Sequence, residues 1–387
     1  KFFLSNFIIT DNIEANFNGR FYKQHNQYDN NFSYPGDSSL YYRDDKLYAL
    51  LFDLTYSERN VSHKITFQPT YTTRINTSGA SYEYDGRKNK LEYIISSNLF
   101  GIDFLSGLDY LKKSADMNGL LADKEIHSIF SEFRLKLLNS TNVDASIRRE
   151  YDSQYDTFDT GRIQFNNNIF KNVILRGSLG TGYRTPTPYE LYSSYGNTNL
   201  TPEKSITYDL GSEISFNQNS SKLYFGVFET KVEDIIKYAA SKYRQSTANL
   251  KTHGSEIRFK TAIYDFLTTS MNYTKTHGKE NDGDSITLVP KDKIVFSLNY
   301  EPRKNININT YYLFQNKSKD TKYNELPVYR SLNLNTSYSF QKHAKAFVKF
   351  ENLLNRDNIV NRGGGTSENL GYRSPGLSMY LGIKFEN

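Results

Sequence analysis

Residues 377–385 alternate without a break: Leu377, Met379, Leu381, Ile383 and Phe385 are apolar, and Ser378, Tyr380, Gly382 and Lys384 lie between them. Successive side chains of a strand point to opposite faces, so this segment carries one apolar wall and one wet wall. Residues 331–340 repeat the pattern, with Leu332, Leu334, Thr336, Tyr338 and Phe340 set against Ser331, Asn333, Asn335, Ser337 and Ser339. Segments of about ten residues with this rhythm recur along the chain, joined by connections that run short, then long, then short again. A long series of such strands with unequal loops at their two ends is the pattern of a transmembrane antiparallel β-barrel.

The composition agrees with a barrel and excludes a helical membrane protein. Only 37% of the 387 residues are hydrophobic, and the mean hydropathy is −0.66. No stretch approaches the roughly 18 uncharged apolar residues that a spanning helix needs. The strongest candidate, residues 99–108, is interrupted by Asp103 and Gly107. In a barrel half of each strand faces a polar interior, which lowers the mean without weakening the apolar band. The 32 Tyr and 26 Phe, with no Trp, make tyrosine the expected girdle residue at the membrane–water boundary. Without cysteine there is neither a disulfide framework nor a thiolate metal site. The net charge of +6 comes from 48 basic and 42 acidic residues mixed along the sequence, which argues against nucleic acid as a partner.

Long connections are expected near residues 24–45, 74–89, 111–124, 152–159, 183–204, 231–252, 277–290, 316–326 and 354–374, with short ones between them. The long set suits extracellular loops and the short set periplasmic turns. About nineteen strands result, whereas bacterial single-chain barrels have an even number. An open edge in lipid leaves N–H and C=O groups without partners, so the odd count is expected to reflect strands upstream of Lys1. Propellers and solenoids need a repeat that is absent here, and a sandwich does not accommodate so many strands.

One stretch is more specific than alternation. Tyr183-Arg184-Thr185-Pro186 is followed by Tyr195-Gly196 and by Asn197-Thr198-Asn199-Leu200-Thr201-Pro202-Glu203. This pair resembles the signature of TonB-dependent outer-membrane receptors, an aromatic-Arg-x-Pro segment followed by Asn-Pro-Asn-Leu-x-Pro-Glu, with Thr198 in place of the usual proline. Near the end, Phe350-Glu351-Asn352-Leu353-Leu354-Asn355 and Gly371-Tyr372-Arg373-Ser374-Pro375-Gly376 resemble the penultimate strand and last loop of that family. Gln27-Tyr28-Asp29, Tyr34-Pro35-Gly36 and Val232 through Tyr238 are most similar to its cobalamin receptors. The likeness spans nearly the whole chain, read as one barrel domain over residues 1–387. It implies a barrel of 22 strands in the family, of which roughly 19 are here, with the plug domain and about three strands upstream.

The resemblance also implies a function: monomeric active transport across the bacterial outer membrane, with loops and plug capturing the ligand. TonB, ExbB and ExbD would supply the energy through the plug. Cobalamin is the expected ligand, and a ferric siderophore is the alternative within the family. Haem is disfavoured, because residues 185–197 contain no histidine and the six histidines are scattered. A passive porin, the rival of a different class, would lack the signature. Pro186 and Pro202 fix φ and remove donors, which suits a rigid loop, and Arg184 and Glu203 are placed to pair across it. Tyr183, Asn199 and Leu200 complete the structural part of the signature. Tyr189, Tyr192, Tyr195, Asn197, Tyr238 and Tyr243 are the candidate ligand contacts, since tyrosine offers large area at low entropic cost. By the same likeness Tyr28, Asp29 and Asp45 are candidates for a Ca²⁺ site, a hard cation that takes oxygen ligands. No catalytic motif is present, and no enzymatic activity is expected.

Overall fold

The computed structural model describes residues 2–28, 41–78, 80–138, 140–218, 220–246, 248–280, 286–320, 323–362 and 371–385. Nineteen strands form one antiparallel sheet in which each strand pairs with the next barrel strand in sequence, from Phe2–Thr10 to Ser378–Phe385. These two strands are the edges, and no ladder joins them among the described residues. Among the described residues three two-stranded sheets stand apart from the large one, and the one helix is Pro188–Tyr192.

Side chains sort by parity, as the alternation predicts. Facing away from the bore are Phe52, Ile65, Phe67, Leu91, Ile129, Phe225, Val227, Phe296, Met379 and Leu381, all exposed because their solvent is lipid. Their neighbours line the bore with charge. Arg148 donates to Asp109 (2.7 Å) and to Ser128 (2.7 Å), Lys64 lies 3.3 Å from Asp53, and Arg134 donates to Asp144 (2.9 Å). Aromatic rings mark both boundaries. At the end with tight turns, Tyr264 stacks on Phe266, whose ring is edge-on to Tyr300. Toward the other end Tyr110, His127 and Tyr151 follow one another across three strands.

The tight turns match the short connections. Residues 11–12, 59–60, 100–101, 171–172, 265–266, 304–305 and 342–343 each join two strands. The turn at Phe100 and Gly101 needs φ of +55° and +78°, which glycine supplies at the second position without strain.

Three long connections are corrected. The loops expected near 74–89 and 111–124 are sheet instead: Val61–Ser78 meets Ala80–Leu99, and Ile102–Met117 meets Leu120–Leu137. Pairing continues out to Ser78–Ala80 and Met117–Leu120. The loop expected near 152–159 shrinks to a turn between Thr141–Asp152 and Asp156–Phe170. A tilted strand crosses a membrane in about 9–11 residues, so the 18- and 20-residue strands project well beyond it. Above the membrane both faces are wet, the alternation fades, and Thr72-Thr73-Arg74 reads as loop although it is strand.

Candidate ligand-binding loops

At the end opposite the tight turns, two folded segments sit side by side. The first follows Val173–Arg184 and precedes Glu203–Phe216, and it contains the Tyr-Arg-Thr-Pro signature. The second lies between Ser221–Glu233 and Leu250–Tyr264 and folds as a hairpin, Ile236–Ala239 against Lys242–Gln245.

Proline and capping chemistry build the first segment. Pro186 ends the strand and Pro188 opens the helix Pro188–Tyr192, where a missing N–H costs nothing. Thr187 is its N-cap and forms a capping box: its hydroxyl accepts from Glu190 N (3.2 Å), and the Glu190 carboxylate accepts from Thr187 N (2.7 Å). Arg184 then closes the structure. Its guanidinium donates to Glu203 (2.6 and 2.8 Å) and to Glu190 (2.9 Å). One cation thus ties together the strand end, the helix start and the start of the next strand. Burial alone would push the Glu190 carboxyl up, but bonds from Arg184 and Thr187 outweigh it and hold it below the ordinary glutamate range.

The rest of the loop closes on its own backbone. Asn197 N donates to the Glu190 carbonyl (2.9 Å), and the Asn197 side chain accepts from Asn199 N (3.0 Å). Leu191 and Leu200 are buried, as are Pro186 and Pro202. A Cβ on Gly196 would stand 2.5 Å from the Leu191 carbonyl oxygen, so only glycine fits there. Lys124, on the adjoining wall, donates to Thr185 (2.8 Å) and lies 2.6 Å from the buried Asp152. Burial, with Tyr192, Asp152 and Glu190 nearby, pushes the Tyr155 phenol up to about 12.

The two segments are stitched to each other. Glu203 accepts from Ile236 N (2.8 Å), Gln245 accepts from Thr201 N (2.9 Å), and Tyr243 N donates to the Tyr195 carbonyl (2.8 Å). This brings four of the six candidate contacts into one line of edge-on rings. Tyr189 meets Tyr243 at 6.1 Å, Tyr243 meets Tyr238 at 5.4 Å, and Tyr238 meets Tyr195 at 5.7 Å. Tyr189, Tyr195 and Tyr238 remain exposed, which leaves the line open to a ligand. Burial raises the Tyr189 and Tyr243 phenols, so both stay donors at neutral pH. Tyr192 is separate and lines a cavity of about 440 Å³ on the bore side, with Thr185, Pro186, Leu191, Lys88 and Lys124. Asn197 spends its side chain inside the loop, which makes it a shaping residue.

Tyr183 lies against Phe158 (4.1 Å, stacked) and donates to Glu150. Tyr28 and Asp45, the two described members of the expected calcium set, are each engaged elsewhere. Asp29 lies outside the described residues, and Tyr28 donates to the Thr77 carbonyl (3.1 Å). Asp45 is on the bore face, where its two oxygens accept from Arg43 (2.8 Å) and Arg74 (2.9 Å). Two guanidinium groups on one carboxylate oppose a divalent cation there. The Arg184–Glu190 bond and the links from Glu203 and Gln245 were not anticipated. The Thr-x-x-Glu spacing of the capping box was the signal for the first, whereas contacts between loops leave no local signal.

The family description "TonB dependent receptor-like, beta-barrel" matches residues 3–353. The chain belongs to the TonB-dependent receptor β-barrels. It is an outer-membrane protein of a family of transport receptors. It is 21% identical over 242 residues to the vitamin B12 transporter BtuB of Photobacterium profundum, which is 60% of this chain and 38% of that protein. The match thus spans well under half the length of that curated relative. The ferric-catecholate import receptor Fiu of Escherichia coli K12 superposes with a TM-score of 0.80 at 12% identity, over 99% of this chain and 73% of that one. A ferric enterobactin receptor of Pseudomonas aeruginosa, solved with enterobactin, gives 0.82 at 15%, over 99% and 69%. Likeness at these identities concerns the fold.

Proposed function

We propose that this TonB-dependent receptor barrel captures cobalamin at its extracellular loops and passes it inward with energy supplied by TonB, ExbB and ExbD. The whole of residues 1–387 acts as the barrel domain in this reading. The observation that carries it is the line Tyr189–Tyr243–Tyr238–Tyr195, an exposed aromatic surface held by two interlocked segments. Cobalamin is large, amide-rich and partly flat, and suits tyrosines that combine ring contact with phenol hydrogen bonds. Sequence likeness to a vitamin B12 transporter supports the same ligand. Asn197 is not among the contacts, and neither is a calcium site built on Asp45.

A ferric siderophore is the second reading, and one observation favours it. Lys88, Lys113 and Lys124 are successive cross-strand neighbours on the bore face, and all three line the cavity behind the signature loop. Like charges directly opposite one another are destabilising, and an anionic ligand relieves that cost. Asp123 lines the same cavity and Asp152 answers Lys124 from behind it (2.6 Å), so the charge offered to a ligand is that of Lys88 and Lys113.

Cells expressing the full receptor decide between the two. Labelled cyanocobalamin should bind, and the Tyr238→Ala and Tyr243→Ala changes should each weaken it about tenfold or more. Binding of a ferric catecholate instead, weakened by Lys88→Gln, selects the second reading. Failure of both ligands overturns the pair.

A further inference from the structure

The outer wall changes character where Ser221–Glu233, Leu250–Tyr264 and Leu267–Glu280 run side by side. Nearer the tight turns, the positions pointing away from the bore are Phe225, Val227, Ile257 and Met271, all exposed. Further along the strands the same alternating positions are Lys231, Lys251, His253, Lys275, His277 and Lys279, again exposed. Pairing makes them contiguous. Lys231 is opposite Lys251, Lys251 opposite Lys279, and His253 opposite His277, their rings stacked at 5.7 Å.

Few carboxylates answer this charge. Glu229, opposite His253, serves Lys251 (2.9 Å) and Lys231 (3.6 Å) together. Asp292, opposite Lys275, answers that one lysine while also accepting from Tyr273 (2.8 Å) and Asn316 (2.9 Å), so the row Lys231, Lys251 and Lys279 is left to share Glu229. Glu233 lies one alternation beyond Lys231. Like charges set directly opposite across strands destabilise a sheet, so this arrangement calls for an anion. The sector of Tyr110, His127 and Tyr151 is different: its boundary is aromatic, and Arg149 there is spent on a two-point pair with Asp159.

Height on the wall identifies the anion's source. The basic positions begin where the apolar belt ends, on the side facing lipid, which is the level of lipid headgroups. We propose that this face docks the phosphate of an anionic membrane lipid in the leaflet next to the extracellular loops. The lysine ammonium groups bind the phosphate oxygens while Phe225, Val227, Ile257 and Met271 receive the acyl chains.

The test uses the full receptor in bilayers of phosphatidylcholine containing spin-labelled phosphatidylglycerol or spin-labelled phosphatidylcholine. The protein should select the anionic lipid, and the double change Lys251→Gln with Lys279→Gln should reduce that selectivity about tenfold or more. The same exchange at Lys88 and Lys113, on the bore face, should leave it unaltered. Retention of the wild-type preference by the Lys251/Lys279 variant overturns the proposal. So does displacement of the labelled lipid by millimolar inorganic phosphate, which would mark a site for free anions. Unchanged circular dichroism of both variants separates loss of binding from loss of fold.

Discussion

Two sectors of the receptor reach out of the membrane by different means. Between Tyr41 and Leu137 the wall continues upward as sheet, and paired strands run to tips as short as Ser78–Ala80. From Arg184 onward the strands stop sooner, and folded caps complete the outer end. The contrast shows in burial. Of eight buried apolar side chains among the described residues, Pro186, Leu191, Leu200, Pro202, Ala248 and Leu326 lie in caps. The tall wall is held by ladder bonds that need no core, with bore-face ion pairs such as Asp45 with Arg43 and Arg74, whereas the caps have small cores and a capped helix. A ladder tolerates loss of any one side chain. A cap that hangs on Arg184 does not.

Changes that test this contrast rank accordingly. Arg184→Ala should have the largest effect, since it leaves the Glu190 and Glu203 carboxylates side by side without a cation. Local stability of residues 185–202 should fall by about 2–3 kcal/mol, read by hydrogen exchange, with the tip at Ser78 unchanged. Gly196→Ala forces the backbone away from Leu191 and should cost about 1–3 kcal/mol, visible as faster proteolysis within the loop. Thr187→Ala removes the N-cap and should cost about 1 kcal/mol in the same exchange measurement.

Acid gives a reversible version of the first change. The Glu190 carboxyl is depressed in the folded cap, so its contribution is present above the ordinary glutamate value and is lost as pH falls through the depressed one. The opening free energy of residues 185–202, from exchange corrected for the intrinsic amide rate at each pH, should therefore be flat from about pH 8 to 5 and should fall below about pH 4. In Glu190→Gln that acid-induced loss should be smaller. Thr77→Ala tests the other sector. It removes an exposed hydroxyl contact with Ser81 (3.1 Å) and should cost less than about 0.5 kcal/mol. A tip that unfolds on this change would erase the distinction between the sectors.

What the sequence revealed follows from where water lies. In the membrane one face of each strand meets lipid and the other the bore, so Leu377 to Phe385 reads unambiguously. Above it, Thr70 to Ser78 has water on both sides and loses the period-two signal, which is why sheet passed for loop. The signature loop was legible because proline, glycine and the Arg184–Glu203 pair act over short distances. Asp45 enters as a cation ligand by family likeness alone, which carries no information about its neighbours in the sheet. Its real partners are Arg43, two residues away on the same face, and Arg74 across the ladder. The line of tyrosines is assembled by a hydrogen bond between segments some 48 residues apart, from Tyr243 N to the Tyr195 carbonyl, and nothing local announces it.

Glu203 receives the Arg184 fork from one segment and the Ile236 amide from the other. A molecule leaning on Tyr238 therefore pulls on the same carboxylate that braces the helix at Pro188. With the Gln245–Thr201 and Tyr243–Tyr195 links beside it, that carboxylate makes the two caps share one brace, so a load on one flank of the mouth is carried by both.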